Sequence, residues 1–206
     1  MDYGSGNLRS VARALERSGV RTDVTSDASQ VRRADGVVLP GAGAFADCAA
    51  NLRAKGLDDA VVSAIEAGKP YLGLCLGLQL LFEESEEHGP VKGLGLLRGR
   101  VERFPETAPD GSKLRVPHIG WNDVRFQGSH PMLEALPEED QFYFVHSYRV
   151  VPKEGDVTVG VTDYGGAFPA AVATERMFAV QFHPEKSQGA GKRLLDAYAA
   201  WVAACR

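Results

Sequence analysis

An α/β fold is expected from this sequence: a mixed, mostly parallel central sheet with flanking helices, continued by a largely antiparallel C-terminal half. Three observations predict it. Helical stretches alternate with short apolar runs up to about residue 84, the signature of a sheet covered on both faces. Beyond Gly93, strand-like runs follow one another between turn signals such as Asp110-Gly111 and Gly165-Gly166. The last segment returns to helix, with Leu194, Tyr198, Trp201, Val202 and Cys205 on one stripe. The 206 residues contain no repeat, low-complexity stretch or linker, so residues 1–206 read as one domain. A domain of that size buries roughly 70–75% of its extended-chain surface.

Taken in order, Leu8, Val11, Ala12 and Leu15 repeat at helical spacing, which predicts a helix from near Ser5 to Gly19, with a strand to follow at 20–25. A strand is expected at 36–39, helices at 45–54 and 58–67, a strand at 71–74 and a helix from Leu76 to Glu84. The second half predicts strands at 98–104, 113–118, 122–126, 142–151, 157–162, 169–174 and 177–182. Only Met1, Asp2 and Tyr3 precede the first helix, and three residues are marginal for the strand that should open such a sheet. Either that strand is cut short at the N-terminus or the sheet lacks a member.

Composition excludes several classes. Lys+Arg 23 against Asp+Glu 27 gives a net charge of −4, and the pair Arg32-Arg33 is no basic stripe, so nucleic acid is not an expected partner. Cys48, Cys75 and Cys205 lie far apart without CxxC spacing, which argues against a zinc ribbon and a disulfide framework, and no metal site is expected. No signal peptide opens the sequence and no apolar run reaches the ~18–20 residues of a membrane span, so a cytoplasmic protein away from membranes is expected.

The chemistry centres on Gly73-Leu74-Cys75-Leu76-Gly77, which lies between an apolar strand and an apolar helix. There G-x-C-x-G matches the nucleophile elbow, with cysteine in place of serine. A sharp turn holds the nucleophile in a strained conformation, the glycines admit close neighbours, and the start of the helix favours thiolate. The Leu76 amide then points towards a developing oxyanion. Cys48 and Cys205, each on an apolar helical stripe, read as buried structural cysteines. Phe182-His183-Pro184-Glu185 supplies a base at a strand end, and in extended chain Glu185 falls on the same side as His183 and orients it. Pro40-Gly41-Ala42-Gly43 ends another strand on the same edge and can turn an amide towards a substrate. Its glycines also satisfy a loose dinucleotide fingerprint, but no ribose-binding acid follows at the right distance. His88 and His130 read as surface loop residues.

The stretch from Gly73 to Phe82, together with Phe182-His183-Pro184-Glu185-Lys186-Ser187, resembles the catalytic segments of class I glutamine amidotransferases. Asp2-Tyr3-Gly4-Ser5-Gly6-Asn7-Leu8, Pro117-His118-Ile119-Gly120-Trp121-Asn122 and Tyr143-Phe144-Val145-His146-Ser147-Tyr148 are similar, within that family, to glutaminase subunits of imidazole glycerol phosphate synthases, which serve histidine biosynthesis. The resemblance departs at the missing first strand and at Ala42, where the family often carries a larger apolar residue. It implies a flavodoxin-like fold, no cofactor, and hydrolysis of L-glutamine to glutamate and ammonia by Cys75, His183 and Glu185. It assigns Gly41, Ala42 and Gly43 to the oxyanion, beside the Leu76 amide of the elbow, and Gln79 with the backbone of Ser147 and Tyr148 to holding glutamine. One turn after Cys75, Gln79 also offers both a donor and an acceptor to an amino acid headgroup. It further implies a heterodimer with a (β/α)8 cyclase that receives the ammonia, docked around Asn7, Trp121, Asn122, Tyr143 and Lys186. Core packing competes with docking as the role of Trp121, and His118 and His146 have no role that the sequence defines. Glutaminases of pyridoxal phosphate or anthranilate synthases, a cysteine hydrolase on the same scaffold, and a non-catalytic regulatory module are the alternatives.

Overall fold

A computed structural model describes residues 1–4, 6–153 and 155–205. It contains the expected α/β architecture, with two sheets. In chain order the helices are α1 (Leu8–Arg17), α2 (Ala28–Arg33), α3 (Phe45–Ala54), α4 (Leu57–Glu66), α5 (Leu76–Gln79) and α6 (Gln188–Ala204). The strands are β1 (Val37–Leu39), β2 (Tyr71–Leu74), β3 (Phe82–Ser85), β4 (Val91–Lys92), β5 (Leu97–Arg103) and β6 (His118–Phe126), then β7 (Glu139–His146), β8 (Tyr148–Pro152), β9 (Thr158–Asp163), β10 (Ala167–Thr174) and β11 (Met177–Val180). The larger sheet runs β1-β2-β11-β10-β9-β6-β7 and the smaller β4-β3-β5-β8.

In the larger sheet β2 is parallel to β1 and to β11, and the pairings from β11 outward to β7 are antiparallel. The parallel part is thus narrower than the sequence suggests. Strand alternation explains how the sheet is covered. Tyr71, Met177 and Ala179 face a core shared with α3, α4 and the small sheet, whereas Leu72, Leu74, Phe178 and Val180 face a core built with α1 and α6. Of the three strands in parallel pairing, β2 and β11 are buried along their whole length, with hydrophobic or aromatic side chains apart from Gly73.

Several expected elements differ, each for a local reason. No strand forms at 20–25; Thr25 O accepts one hydrogen bond from Asp2 N (2.7 Å), too few for a ladder. The start of α1 lies at Leu8 rather than near Ser5, a residue outside those described. Helix α5 ends at Gln79, because Leu80, Leu81 and Phe82 turn their carbonyls to the amides of Leu94, Leu97 and Gly95 and the chain enters β3 instead of continuing to Glu84. An unbroken apolar run carries no period that separates helix from strand. The 113–118 strand is absent: Lys113 makes one isolated bridge with Thr107, and Pro117 has no amide for a ladder. The 142–151 strand is two strands, in different sheets, broken at Ser147. Helix α2 is additional to the expected elements, its six residues being too few to show a period; Asp27 caps it, accepting from Ser29 N at 2.7 Å. Cys205 is exposed just beyond α6, and His130 is buried at 5% exposure beneath Phe178 and Trp201.

Residues 1–3 lie alongside β1 without pairing as a strand. The terminal ammonium donates to Val38 O (2.9 Å), and the wholly buried Tyr3 donates its hydroxyl to Pro40 O (2.8 Å). A groove of about 770 Å³, lined partly by Leu8, Val11, Leu15, Val37 and Val38, opens where residues 1 and 20–25 run past β1. Tyr3 therefore ties the N-terminus to the strand end that carries Gly41. Tyr3→Phe leaves the Pro40 carbonyl without that buried donor and should lower the unfolding free energy by about 1 kcal/mol. Urea denaturation reads it, and an unchanged midpoint would contradict the tie.

Candidate active site

The elbow forms as the glycine spacing requires. Cys75 sits at φ 53°, ψ −102°, a strained left-handed conformation for a residue with a side chain. Its amide donates to Val180 O (2.7 Å), and the Tyr71 hydroxyl donates to Gly77 O (2.7 Å), so both sides of the turn are pinned. A side chain at Gly77 would collide with the Leu39 carbonyl, and one at Gly73 would meet Gly77 O at 2.6 Å. At Gly41 a Cβ would run into Leu76 and come within 2.9 Å of the Tyr3 hydroxyl. The 41–43 segment is thereby pressed against the residue after the nucleophile. The Ala42 carbonyl is turned to α3, where the Cys48 thiol donates to it (3.7 Å), so that buried cysteine touches the loop directly. Because α5 is a single turn, little helix dipole acts on the sulfur.

The bond from Cys75 N to Val180 O also sets where His183 falls, three residues beyond the end of β11. His183 is extended (φ −110°, ψ 92°), but Pro184–Lys186 is a 3-10 turn rather than extended chain. The turn still brings the carboxylate back: His183 Nδ1 is 2.9 Å from Glu185 Oε1, and the Glu185 side chain is 3% exposed. Ser187 Oγ donates to His183 O (2.6 Å), and Gly191 of α6 fits against Pro184 only because it lacks a side chain. Among the described residues no side chain meets His183 Nε2 in full hydrogen-bond geometry, and Cys75 is the neighbour that acts on the ring from that side. Burial alone would lower the His183 pKa. Its contacts with Cys75 and Glu185 outweigh it and raise the value to about 9, so the ring carries a proton at neutral pH.

Gln79 is buried and its amide nitrogen is committed inside the protein, to Tyr148 O (3.1 Å) and Gln181 Oε1 (3.1 Å). Only its oxygen remains for a ligand, which corrects the expectation of a donor and an acceptor together. Gln181, which no sequence motif singles out, is fully buried and donates to Cys75 Sγ (3.5 Å). Its one signal is position, two residues before His183. Ser147 O accepts from Phe104 N (3.0 Å), and Ser147 and Tyr148 are half-buried.

Of the expected docking residues, Trp121, Tyr143 and Lys186 form one group. Trp121, 44% exposed, meets Tyr143 edge-on at 6.1 Å, and Lys186 Nζ lies 5.7 Å from the Tyr143 ring. The Tyr143 carbonyl accepts from His183 N (2.9 Å), so this group adjoins the histidine. Asn7 is exposed at the start of α1, and neighbouring Gly6 approaches the Gly41–Ala42 backbone. Asn122 does not join them. Alternation along β6 turns it to the opposite face from Trp121, where its amide donates to Asp163 O (2.7 Å) and reaches His118.

Two opposed titrations follow. Burial pushes His118 down to about 4 and His146 to about 3. Unfolding restores both to about 6.5, so the unfolded chain takes up protons first and stability falls as pH drops below about 6.5. The raised pKa of His183 stabilises the fold below about 6.5, and that contribution is lost as pH rises through about 9. Thermal melts at about pH 5, 7.5 and 10 should therefore peak in the middle, with a smaller alkaline loss in His183→Gln. An alkaline loss as large in that variant as in the wild type would exclude His183 as its source.

The comparisons with known proteins give the family of the chain. A family model described as glutamine amidotransferase class-I matches residues 1–198. The imidazole glycerol phosphate synthase subunit HisH of Aromatoleum aromaticum is 51% identical over 207 residues, covering 98% of this chain and 97% of that protein. The subunit of the same name from Geobacillus thermodenitrificans is 50% identical over 198 residues, 96% and 92% of the two chains. Among solved structures, a glutamine amidotransferase superposes with a TM-score of 0.70 at 22% identity, covering 97% of this chain and 95% of that one. A putative GMP synthase protein from Thermoplasma acidophilum gives 0.69 at 21%, covering 99% and 92%; likenesses at this identity concern the fold. With a strained cysteine elbow, a histidine–glutamate pair beside it and half of all positions shared with HisH subunits along nearly the whole length, the chain belongs to the class-I glutamine amidotransferase family, among its imidazole glycerol phosphate synthase HisH subunits.

Proposed function

We propose that this chain hydrolyses L-glutamine at Cys75 and delivers the ammonia to a (β/α)8 cyclase, within imidazole glycerol phosphate synthesis in the cytoplasm, with residues 1–206 acting as one domain. The observation that carries the mechanism is the placement of His183, bonded to Glu185 through Nδ1 and left with Nε2 beside the Cys75 sulfur. A ring protonated next to a sulfur is the arrangement in which a thiol proton resides on the imidazole and the sulfur attacks as thiolate. The sulfur adds to the carboxamide carbon, and the oxygen that becomes negative is met by the Leu76 amide and by the 41–43 segment pressed against it. His183 gives its proton to the amide nitrogen, the carbon–nitrogen bond breaks, and ammonia leaves a thioester. The neutral ring then takes a proton from water, whose oxygen displaces the sulfur and yields glutamate. Glu185 holds the ring through both steps. The Gln79 oxygen and the backbone at Ser147 and Tyr148 hold the amino acid headgroup.

Ammonia released into neutral water is protonated and ceases to be a nucleophile, so the reaction needs a partner that covers the site. The Trp121–Tyr143–Lys186 group, with Asn7 beyond it, suits that role because an exposed aromatic flanked by a cation is a usual interface anchor. A turn of the Gly41–Ala42 peptide that brings an amide towards the oxyanion is the step that docking would control; the left-handed Gly43 (φ 108°) leaves it room.

Glutamate release, followed with the chain alone and with a cyclase carrying its ribulosyl ligand, tests this reading. The complex should be at least about 10²-fold faster, the usual worth of one oxyanion donor. Cys75→Ala should lower the rate by roughly 10⁴-fold or more. Equal rates with and without the partner would remove the docking switch, and an active Cys75→Ala would remove the mechanism. Lys186→Ala should weaken association about fivefold in calorimetry, through loss of its contact with Tyr143, while Cys75 alkylates at the wild-type rate.

A further inference from the structure

Two buried histidines, His118 and His146, stand 3.0 Å apart (Nδ1 to Nε2) and take no part in the chemistry above. Their hydrogen bonds can be directed without ambiguity, because each end of the chain is a backbone carbonyl, which only accepts. Tyr148 O accepts from His146 Nδ1 (2.8 Å), so the proton of that ring is on Nδ1 and its Nε2 is an acceptor. His118 must then donate from Nδ1, leaving its Nε2 to accept from Asn122 Nδ2 (3.3 Å), whose amide also donates to Asp163 O (2.7 Å). On the other side, the same Tyr148 carbonyl accepts from Gln79 Nε2 (3.1 Å). The second hydrogen of that amide goes to Gln181 Oε1 (3.1 Å), which obliges Gln181 to present its own NH2 to Cys75 Sγ (3.5 Å).

We infer that Gln181, His146 and His118 are positioning residues of the glutamine site, linked in one directed hydrogen-bond chain that holds the Tyr148 carbonyl, Gln79 and the Cys75 sulfur in register. The inference rests on the proposed glutaminase reading. Packing alone does not account for these residues. His118 is stacked between Phe144 (ring centroids 4.7 Å apart) and Tyr164 (4.0 Å), a slot that phenylalanine would fill equally well, and what phenylalanine lacks is the two nitrogens. Gln181 is 0% exposed, where its amide is costly unless both ends are bonded, and among the described residues its side chain is bonded to Gln79 and the sulfur. The chain therefore has separable effects. Its histidine arm sets the Tyr148 carbonyl and, through it, the amide plane of Gln79, which affects substrate binding. Its Gln181 arm sets the sulfur, which affects reactivity.

Nitrogen-15 NMR of the full-length wild type, with both imidazoles labelled, reads the direction of the chain: both His118 and His146 should be neutral at about pH 7.5 with hydrogen on Nδ1. Steady-state glutaminase kinetics, with the cyclase and its ligand present, read the histidine arm. His118→Phe should raise the glutamine KM about five- to tenfold and leave kcat within about twofold. Alkylation of Cys75 by iodoacetamide, followed on the Cys75 peptide by mass spectrometry, reads the other arm; Gln181→Glu, which keeps the acceptor for Gln79 but removes the donor to sulfur, should slow it about tenfold. A proton on Nε2 of either ring, an unchanged KM in His118→Phe, or an unchanged alkylation rate in Gln181→Glu overturns the inference. The NMR result needs no variant to fold. The NMR and alkylation results need no glutamine, so a wild type that shows both but releases no glutamate counts against the glutaminase reading and not against the chain.

Discussion

The whole site depends on one backbone contact, the approach of the elbow to the end of β1. Gly77 lies against the Leu39 carbonyl and Gly41 against Leu76, and neither contact leaves room for a Cβ. A left-handed cysteine costs on the order of 1–3 kcal/mol. Here it is held by the Cys75 amide on Val180, the Tyr71 hydroxyl on Gly77, and the wholly buried residues β2 sends into both cores. The strain is thus offset by groups that also have other roles: Val180 ends the strand that leads to His183, and Tyr71 starts the strand that leads to Cys75. Function and stability share the same few residues at this point, so the elbow cannot relax without moving the histidine.

The electrostatics follow from that geometry. Three histidines are buried within the same region and are driven in opposite directions. His183 faces a carboxylate and a sulfur and is pushed towards the charged form, while His118 and His146 face each other and a backbone carbonyl and are pushed towards the neutral one. One positive charge near the sulfur is useful to a thiolate mechanism. Further cations in the same buried space would repel it, and the neutral pair avoids this while still supplying donors.

Local spacing made the elbow, the His183–Glu185 pair, the 41–43 loop and the α3–α4 pair readable, because each is a short pattern whose chemistry is contained within a few residues. What could not be read depends on distant partners. Leu80 to Phe82 suit a helix by composition, and only the amides of Leu94, Leu97 and Gly95 divert them into a strand. The break at Ser147 leaves no mark in a run of strand-forming residues, since it reflects membership of two sheets. His130 sits in a polar-looking stretch and is buried by Trp201 from the far end of the chain. The bonding of Gln181 and of the His118–His146 pair leaves no local pattern beyond the place of Gln181 two residues before His183, because their partners come from other elements and the direction of their hydrogen bonds is set by two carbonyls that only the folded chain brings within reach.

The break at Ser147 also explains why the site has a carbonyl to use. Along β7 the chain is paired to β6, and along β8 to β5 in the other sheet. At the crossing, Ser147 O is taken by Phe104 N, but Tyr148 O points out of both ladders and is left to the side chains of Gln79 and His146. A strand that stayed in one sheet would have spent that oxygen on a neighbouring amide. Sheet edges are usually a liability of unpaired groups. At this seam the unpaired group is half-buried, accepts two side-chain donors, and lies one Gln79 side chain and one Gln181 side chain away from the sulfur. The transfer of one strand between two sheets is therefore what places a fixed acceptor next to the elbow, in a position that neither sheet alone could provide.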